Sequence, residues 1–153
     1  MRNYFRTCLG VLLLGCCVSG VAQQESGFWR AANQSARSIT GDIGFTGEKL
    51  TINFMGFTVA HIRALESSEV LAVFNPENGV QGNGSLYRVA IPSSRKFLHK
   101  NTLCGSDDVN WMVTYLSGRS LEVKFFSSQK PPLLTPEALT DSADLCGTYS
   151  YVR

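Results

Sequence analysis

The chain offers little to catalysis. His61 and His99 are its only near-neutral bases, and no Gly-x-Ser-x-Gly elbow, His-Glu-x-x-His helix or phosphate loop occurs. A triad can be scattered along a sequence, so an enzyme is the third reading of the chain, with no catalytic residue to name. Cofactor and metal motifs are missing too: the cysteines have no CxxC spacing or nearby histidine pair. Asp107-Asp108 lacks the spaced oxygen ligands of a calcium loop. There is no excess of one charge. The 14 Lys and Arg against 12 Asp and Glu include Arg2 and Arg6, and residues 23–153 balance at 12 of each. A neutral domain gives no case for nucleic acid or an anionic membrane surface.

Long apolar runs are lacking as well. Cys8 to Gly15 (CLGVLLLG) is uncharged but too short to span a bilayer. Arg2 and Arg6 precede it, and Gly20-Val21-Ala22 leads into the polar Gln23-Gln24-Glu25. That order reads as a secretory signal over residues 1–22, cut after Ala22. It implies a periplasmic or secreted protein with no transmembrane segment in its mature form. The alternative takes Leu13-Leu14-Gly15-Cys16 as a lipobox, with Cys16 as a lipidated anchor. Residues 23–153 suit a single domain with one core. No repeat or linker divides them.

Of five cysteines, only Cys104 and Cys146 lie beyond the signal. In an oxidising compartment they most simply form one structural disulfide.

What remains is strand-rich. Gly27–Ala32, Ser38–Ile43, Lys49–Phe54, Phe57–Ala64, Leu86–Ile91, Asn110–Leu116, Ser120–Phe126 and Leu145–Val152 carry short β patterns. Turns are expected at Gly44–Gly47, Met55–Gly56 and Ser117–Arg119. Leu50, Ile52 and Phe54 should share one face. Helical spacing appears in Ser67–Phe74, stopped by Asn75-Pro76, and in Pro136–Asp141 behind the N-cap Thr135. Residues 75–85 form an Asn/Gly loop. About eight strands with one or two short helices predict a mainly β fold, a small antiparallel barrel or sandwich.

Candidate binding residues follow from that frame. An eight-stranded barrel can hold one small ligand, and Trp29, Trp111 and Tyr115 are the aromatic candidates to line it. Both faces of 110–116 are apolar: Trp111, Val113 and Tyr115 on one, Met112, Thr114 and Leu116 on the other. One should pack a core and the other meet a helix or partner. Arg95, Lys96, His99 and Lys100 form the best charge cluster. On a helix, Lys96, His99 and Lys100 would share a side and could bind an anion; beside Asp107 and Asp108 they equally make a solvated surface. His61, aligned with Val59 and Arg63, reads as a partly buried, hydrogen-bonded residue.

Gly27-Phe28-Trp29 resembles the G-x-W at the start of lipocalin-like barrels. A disulfide near Cys146-Gly147-Thr148-Tyr149 fits their construction. Ser38–Ile43 and Phe97–Gly105 are similar to stretches of uncharacterised exported bacterial β-domain proteins, which implies a compartment and no activity. The serine-glycine inhibitory loop of periplasmic lysozyme inhibitors is missing. The sequence therefore favours a non-enzymatic exported binding domain for a small apolar or cell-envelope molecule. The alternative is a protein-interaction module, an inhibitor or envelope-complex subunit, using the Asn/Gly loop and an exposed sheet face. A sealed, filled barrel would weigh against the first.

Overall fold

Eight strands run in sequence order round a closed antiparallel barrel. The computed structural model describes residues 25–153; the signal read over 1–22, with Cys16, lies outside them. The strands are β1 Gly27–Ala31, β2 Ile43–Thr46, β3 Lys49–Ile52, β4 Met55–Ala64, β5 Asn83–Ile91, β6 Val109–Ser117, β7 Ser120–Phe126 and β8 Leu145–Val152. The small antiparallel barrel expected from strand spacing is the observed fold. β8 pairs with both β7 and β1, so the last strand closes the sheet. Helix α1, Ser67–Phe74, lies in the β4–β5 connection at the base, and α2, Pro136–Thr140, in the β7–β8 connection at the top. Among the described residues no helix is long and apolar enough to cross a membrane.

Period-two alternation sends one set of side chains inward. Trp29, Leu50, Ile52, Met112 and Leu121 are fully buried, and Phe125, Tyr149 and Tyr151 are 1 % exposed. Large aromatics thus occupy the interior. A second cluster lies outside the barrel: Val73, Leu86, Trp111, Val113, Phe126 and Leu134 pack together, joined by Phe74 and Leu139. Burying six such side chains contributes on the order of 10 kcal/mol, an upper estimate. Strand β6 is apolar on both faces because it serves both cores.

Local chemistry holds α1 on the wall. The Glu66 backbone N–H donates to the Glu69 carboxylate at 3.0 Å, half of a capping box. Both guanidinium arms of Arg63 donate to Glu69 at 2.6 Å. That pairing holds the Glu69 carboxyl below its usual range and raises Arg63. At the other end Lys124 Nζ donates to the Val73 carbonyl at 2.6 Å, placing a cation at the helix C-terminus. Phe74 stacks on Tyr115, with centroids 5.5 Å apart. Gly84 is required beneath the helix, since a Cβ there would lie 2.8 Å from Val70 Cγ2. Helix α2 begins at Thr135, whose hydroxyl accepts from Ala138 N at 3.3 Å.

The structure corrects several local expectations. Ser38–Thr40 is not strand: Ala36–Thr40 makes a wide helical turn. Asn33 Oδ1 accepts from Ala36 N at 2.9 Å, and the turn ends at Gly41, φ 62°. Strand begins only at Ile43 and includes Gly44 and Phe45, so the hairpin turn is at Gly47-Glu48. The next turn is Asn53-Phe54, with φ 46° and 64°, and Met55-Gly56 belongs to β4. Phe54 is therefore 99 % exposed, off the face it was expected to share with Leu50 and Ile52. The Asn/Gly loop is shorter than 75–85 because β5 starts at Asn83.

Cys104, in the β5–β6 connection, is disulfide-bonded to Cys146 at the head of β8 across a 42-residue separation. A loop of that size should stabilise the fold by about 4 kcal/mol through the unfolded state. The Cys104→Ser/Cys146→Ser double variant should lose that amount in urea unfolding at unchanged pH. A loss below about 1 kcal/mol would mean that the barrel closes without it.

Candidate functional site

A buried carboxylate and two hydroxyls meet inside the largely apolar barrel. Glu25, two residues before β1, is 2 % exposed. Its carboxylate accepts from the Tyr87 hydroxyl at 2.6 Å and the Thr114 hydroxyl at 2.6 Å, lengths expected of charge-assisted O–H···O⁻ bonds. Strands β5 and β6 deliver the two donors: Ser85 is the register partner of Thr114, and Tyr87 that of Met112. The backbone of this N-terminal strap is held by other groups. Trp29 Nε1 donates to the Glu25 carbonyl at 2.9 Å, and Arg153 Nη1 to the Ser26 carbonyl at 3.1 Å. The Arg153 guanidinium also lies 4.5 Å from the Trp29 ring centroid.

Burial and the Glu25 carboxylate raise the Tyr87 hydroxyl above its ordinary range. Burial pushes Tyr149 up to about 12 and raises Tyr151 as well. Two hydroxyls directed at one carboxylate are suited to holding an anion. His61 meets Tyr87 edge-on at 5.2 Å but is exposed, contrary to its expected partial burial. It lies at the base, beyond Val59, where β4 outruns β3.

The predicted aromatic trio is divided. Trp29 is inside the barrel, while Trp111 and Tyr115 are on the outer wall beneath α1 and the 131–134 segment. Arg88 stacks over Trp111 at 4.9 Å. Of the predicted basic cluster, Arg95, Lys96, His99 and Lys100 are all exposed. They lie on no helix: Leu98–Lys100 is a single tight turn with His99 and Lys100 at φ 54° and 62°, so the common face expected of helical spacing does not form. Arg95 alone borders a groove of about 510 Å³, where β4 and β5 splay apart near Gly56, Thr58 and Ala90. Among the described residues no three His, Cys, Asp or Glu side chains are grouped to hold a metal.

The outer wall is unevenly covered. Helices and the 131–134 segment pack over β5–β7, but among the described residues no helix or loop covers the register row Phe28, Gly44, Thr51 and Gly56 that crosses β1–β4, where the Lys49 side chain lies over Gly56. Phe28 is 63 % exposed there, and Ile62, further along β4, 50 %.

Sequence reasoning missed Glu25, which falls in the polar run Gln23-Gln24-Glu25. The legible hint was Thr114, a lone hydroxyl between Met112 and Leu116 on an inward face. No protein-family model, curated protein or solved structure matches this chain.

Thr114→Val removes one donor while keeping shape, leaving a buried carboxylate short of a partner. It should cost about 1–3 kcal/mol in urea unfolding, whereas Thr58→Val on the exposed face should be near neutral. Equal costs would place Glu25 outside the barrel. A second expectation concerns alkali. The native state holds the buried tyrosine protons more tightly than the unfolded chain, whose tyrosines titrate near 10. Their contribution is intact below pH about 10 and is lost as pH rises through about 12. Tyrosinate absorbance and circular dichroism should therefore change together; ionisation of Tyr149 near its ordinary value in a folded chain would contradict its burial.

Proposed function

We propose that this chain is an exported, non-enzymatic binding domain that engages a protein partner of the cell envelope through the outer face of β1–β4. The observation that carries this reading is the packed interior: core side chains no more than 8 % exposed, most of them 0–2 %, stand where a small apolar ligand would lie. That favours the interaction module over the small-molecule carrier. The outer face supplies what such contact uses, the exposed aromatic Phe28 among glycine, threonine and alanine, with Arg30 and Lys49 beside them, the Lys49 side chain lying over Gly56. The face and the covered wall differ in the side chains they present: Phe28 pairs with Gly44, whereas Trp111 pairs with Phe126 under a helix. The disulfide fits an oxidising compartment and gives the domain rigidity there. No charge excess or catalytic grouping competes with this reading.

A photo-crosslinking residue at Phe28 should give a discrete protein adduct in envelope fractions, and one at Glu137 on α2 should not. With the crosslinking residue moved to Thr51 on the same face, Phe28→Arg should abolish capture while moving stability by less than about 0.5 kcal/mol, as an exposed substitution does. Native mass spectrometry showing a bound small molecule, with no adduct at Phe28, would overturn the proposal in favour of a carrier.

A further inference from the structure

We propose that Tyr87 and Thr114 form a carboxylate-binding site inside the barrel, that Glu25 is its tethered occupant, and that a free short aliphatic monocarboxylate binds there when the N-terminal strap withdraws. The inference is independent of any partner on the outer face.

It rests on how the pocket is built. Tyr87 and Thr114 are 5 % and 0 % exposed, and their hydroxyls converge on one carboxylate from neighbouring strands. Around them the interior is mostly apolar: the Tyr87 ring packs against Phe45 at 5.4 Å, Met112 and Leu116 flank Thr114 on the inward face of β6, and besides Glu25 the Ser85 hydroxyl bears on the Tyr87 hydroxyl. Two buried hydroxyls in such surroundings are costly without an acceptor. A carboxylate satisfies both at once, and Glu25 provides one from outside the sheet.

The occupant, unlike the receptor, lies outside the strand ladder. Glu25 precedes the first ladder pair, Gly27 with Phe45. Among the described residues the Glu25 carbonyl accepts from the Trp29 side chain and the Ser26 carbonyl from that of Arg153, with Arg153 itself exposed. Segments outside a ladder open at lower free energy than ladder strands. Opening of the strap removes the carboxylate and leaves both donors on rigid strands. From Cβ outward the Glu25 side chain is a propionate, which sets the chemistry and size of the replacement. Longer or bulkier acids would have to displace packed aromatics.

The test uses the protein purified after export from a bacterial host. In Glu25→Ala the missing part of the side chain is an acetate. Added acetate should raise the thermal midpoint of this variant saturably by about 3 °C or more, with no comparable saturable rise in the unaltered protein. Acetamide, of the same shape without the charge, should do much less. The rise should vanish when Tyr87→Phe and Thr114→Val are added. If Glu25→Ala does not fold alone, recovery of its circular dichroism by acetate is the expected result. Glu25→Gln then serves as a folded reference that cannot be rescued, because its amide fills the site. Equal effects of acetate and acetamide would mean mere cavity filling and overturn the assignment. So would persistence of the acetate effect without both hydroxyls, or no stabilisation and no recovery at all.

Discussion

Everything in this fold depends on the closure of β1 against β8. The ladder there is short, pairing Arg30 with Val152 and Ala31 with Tyr151. Neighbouring bonds extend it: Ala32 N donates to the Ser150 carbonyl at 2.8 Å, and Asn33 Nδ2 to the Thr148 carbonyl at 3.1 Å. Within the barrel Thr40 and Tyr151 share a hydroxyl contact at 2.7 Å, tying the wide turn after β1 to the last strand. A closed sheet has no free edge along this seam. Were it to part, two edge strands would be exposed and the aromatic interior with them. The disulfide at the head of β8 restrains the same strand from the opposite end.

Closure also dictates how the outside is divided. The long β4–β5 and β7–β8 connections carry the two helices, and they fold back over the nearest wall, β5–β7. The β2–β3 and β3–β4 connections are two-residue turns, and the longer β1–β2 connection packs toward β8 and the Leu98–Lys100 turn. The β1–β4 face thus receives no helix from its own connections. Beside the small residues Gly44, Thr51 and Gly56, Phe28 is its exposed aromatic side chain.

The strap solves a problem that the barrel creates. Inward hydroxyls on β5 and β6 need an acceptor, and adjacent strands direct their own carbonyls into the ladder. A carboxylate entering from the N-terminal segment can accept from both, while Trp29 takes the strap's carbonyl and Arg153 lies across the indole. One aromatic therefore helps to seat the strap, fill the core and form part of the closure. This couples the order of residues 25–29 to the integrity of the barrel. The link is packing and hydrogen bonding within one small volume.

Much of this was legible in residue pattern. Alternation identified the strand regions, the two cysteines of residues 23–153 made a pair, and Thr135-Pro136 placed α2. The apolar character of both faces of β6 announced a second packed surface. Turn positions slipped where local preference lost to register: Asn53-Phe54 adopts positive φ because pairing Ile52 with Met55 demands a two-residue turn. Ser38–Thr40 became helical because Asn33 caps the turn at Ala36 and Tyr151 meets the Thr40 hydroxyl, partners that a neighbouring strand would not have offered. The trio Trp29, Trp111 and Tyr115 was divided because period-two alternation gives parity within a strand but no common inside between distant strands. Sequence by itself determined the β class, the disulfide pair and the amphipathic segments, since these follow from composition and short-range period. Only the tertiary structure decided which face is inside, which wall is bare and that Glu25 meets Tyr87 and Thr114. Those contacts join residues 62 and 89 positions apart, and no local preference encodes a meeting fixed by the closing of a sheet.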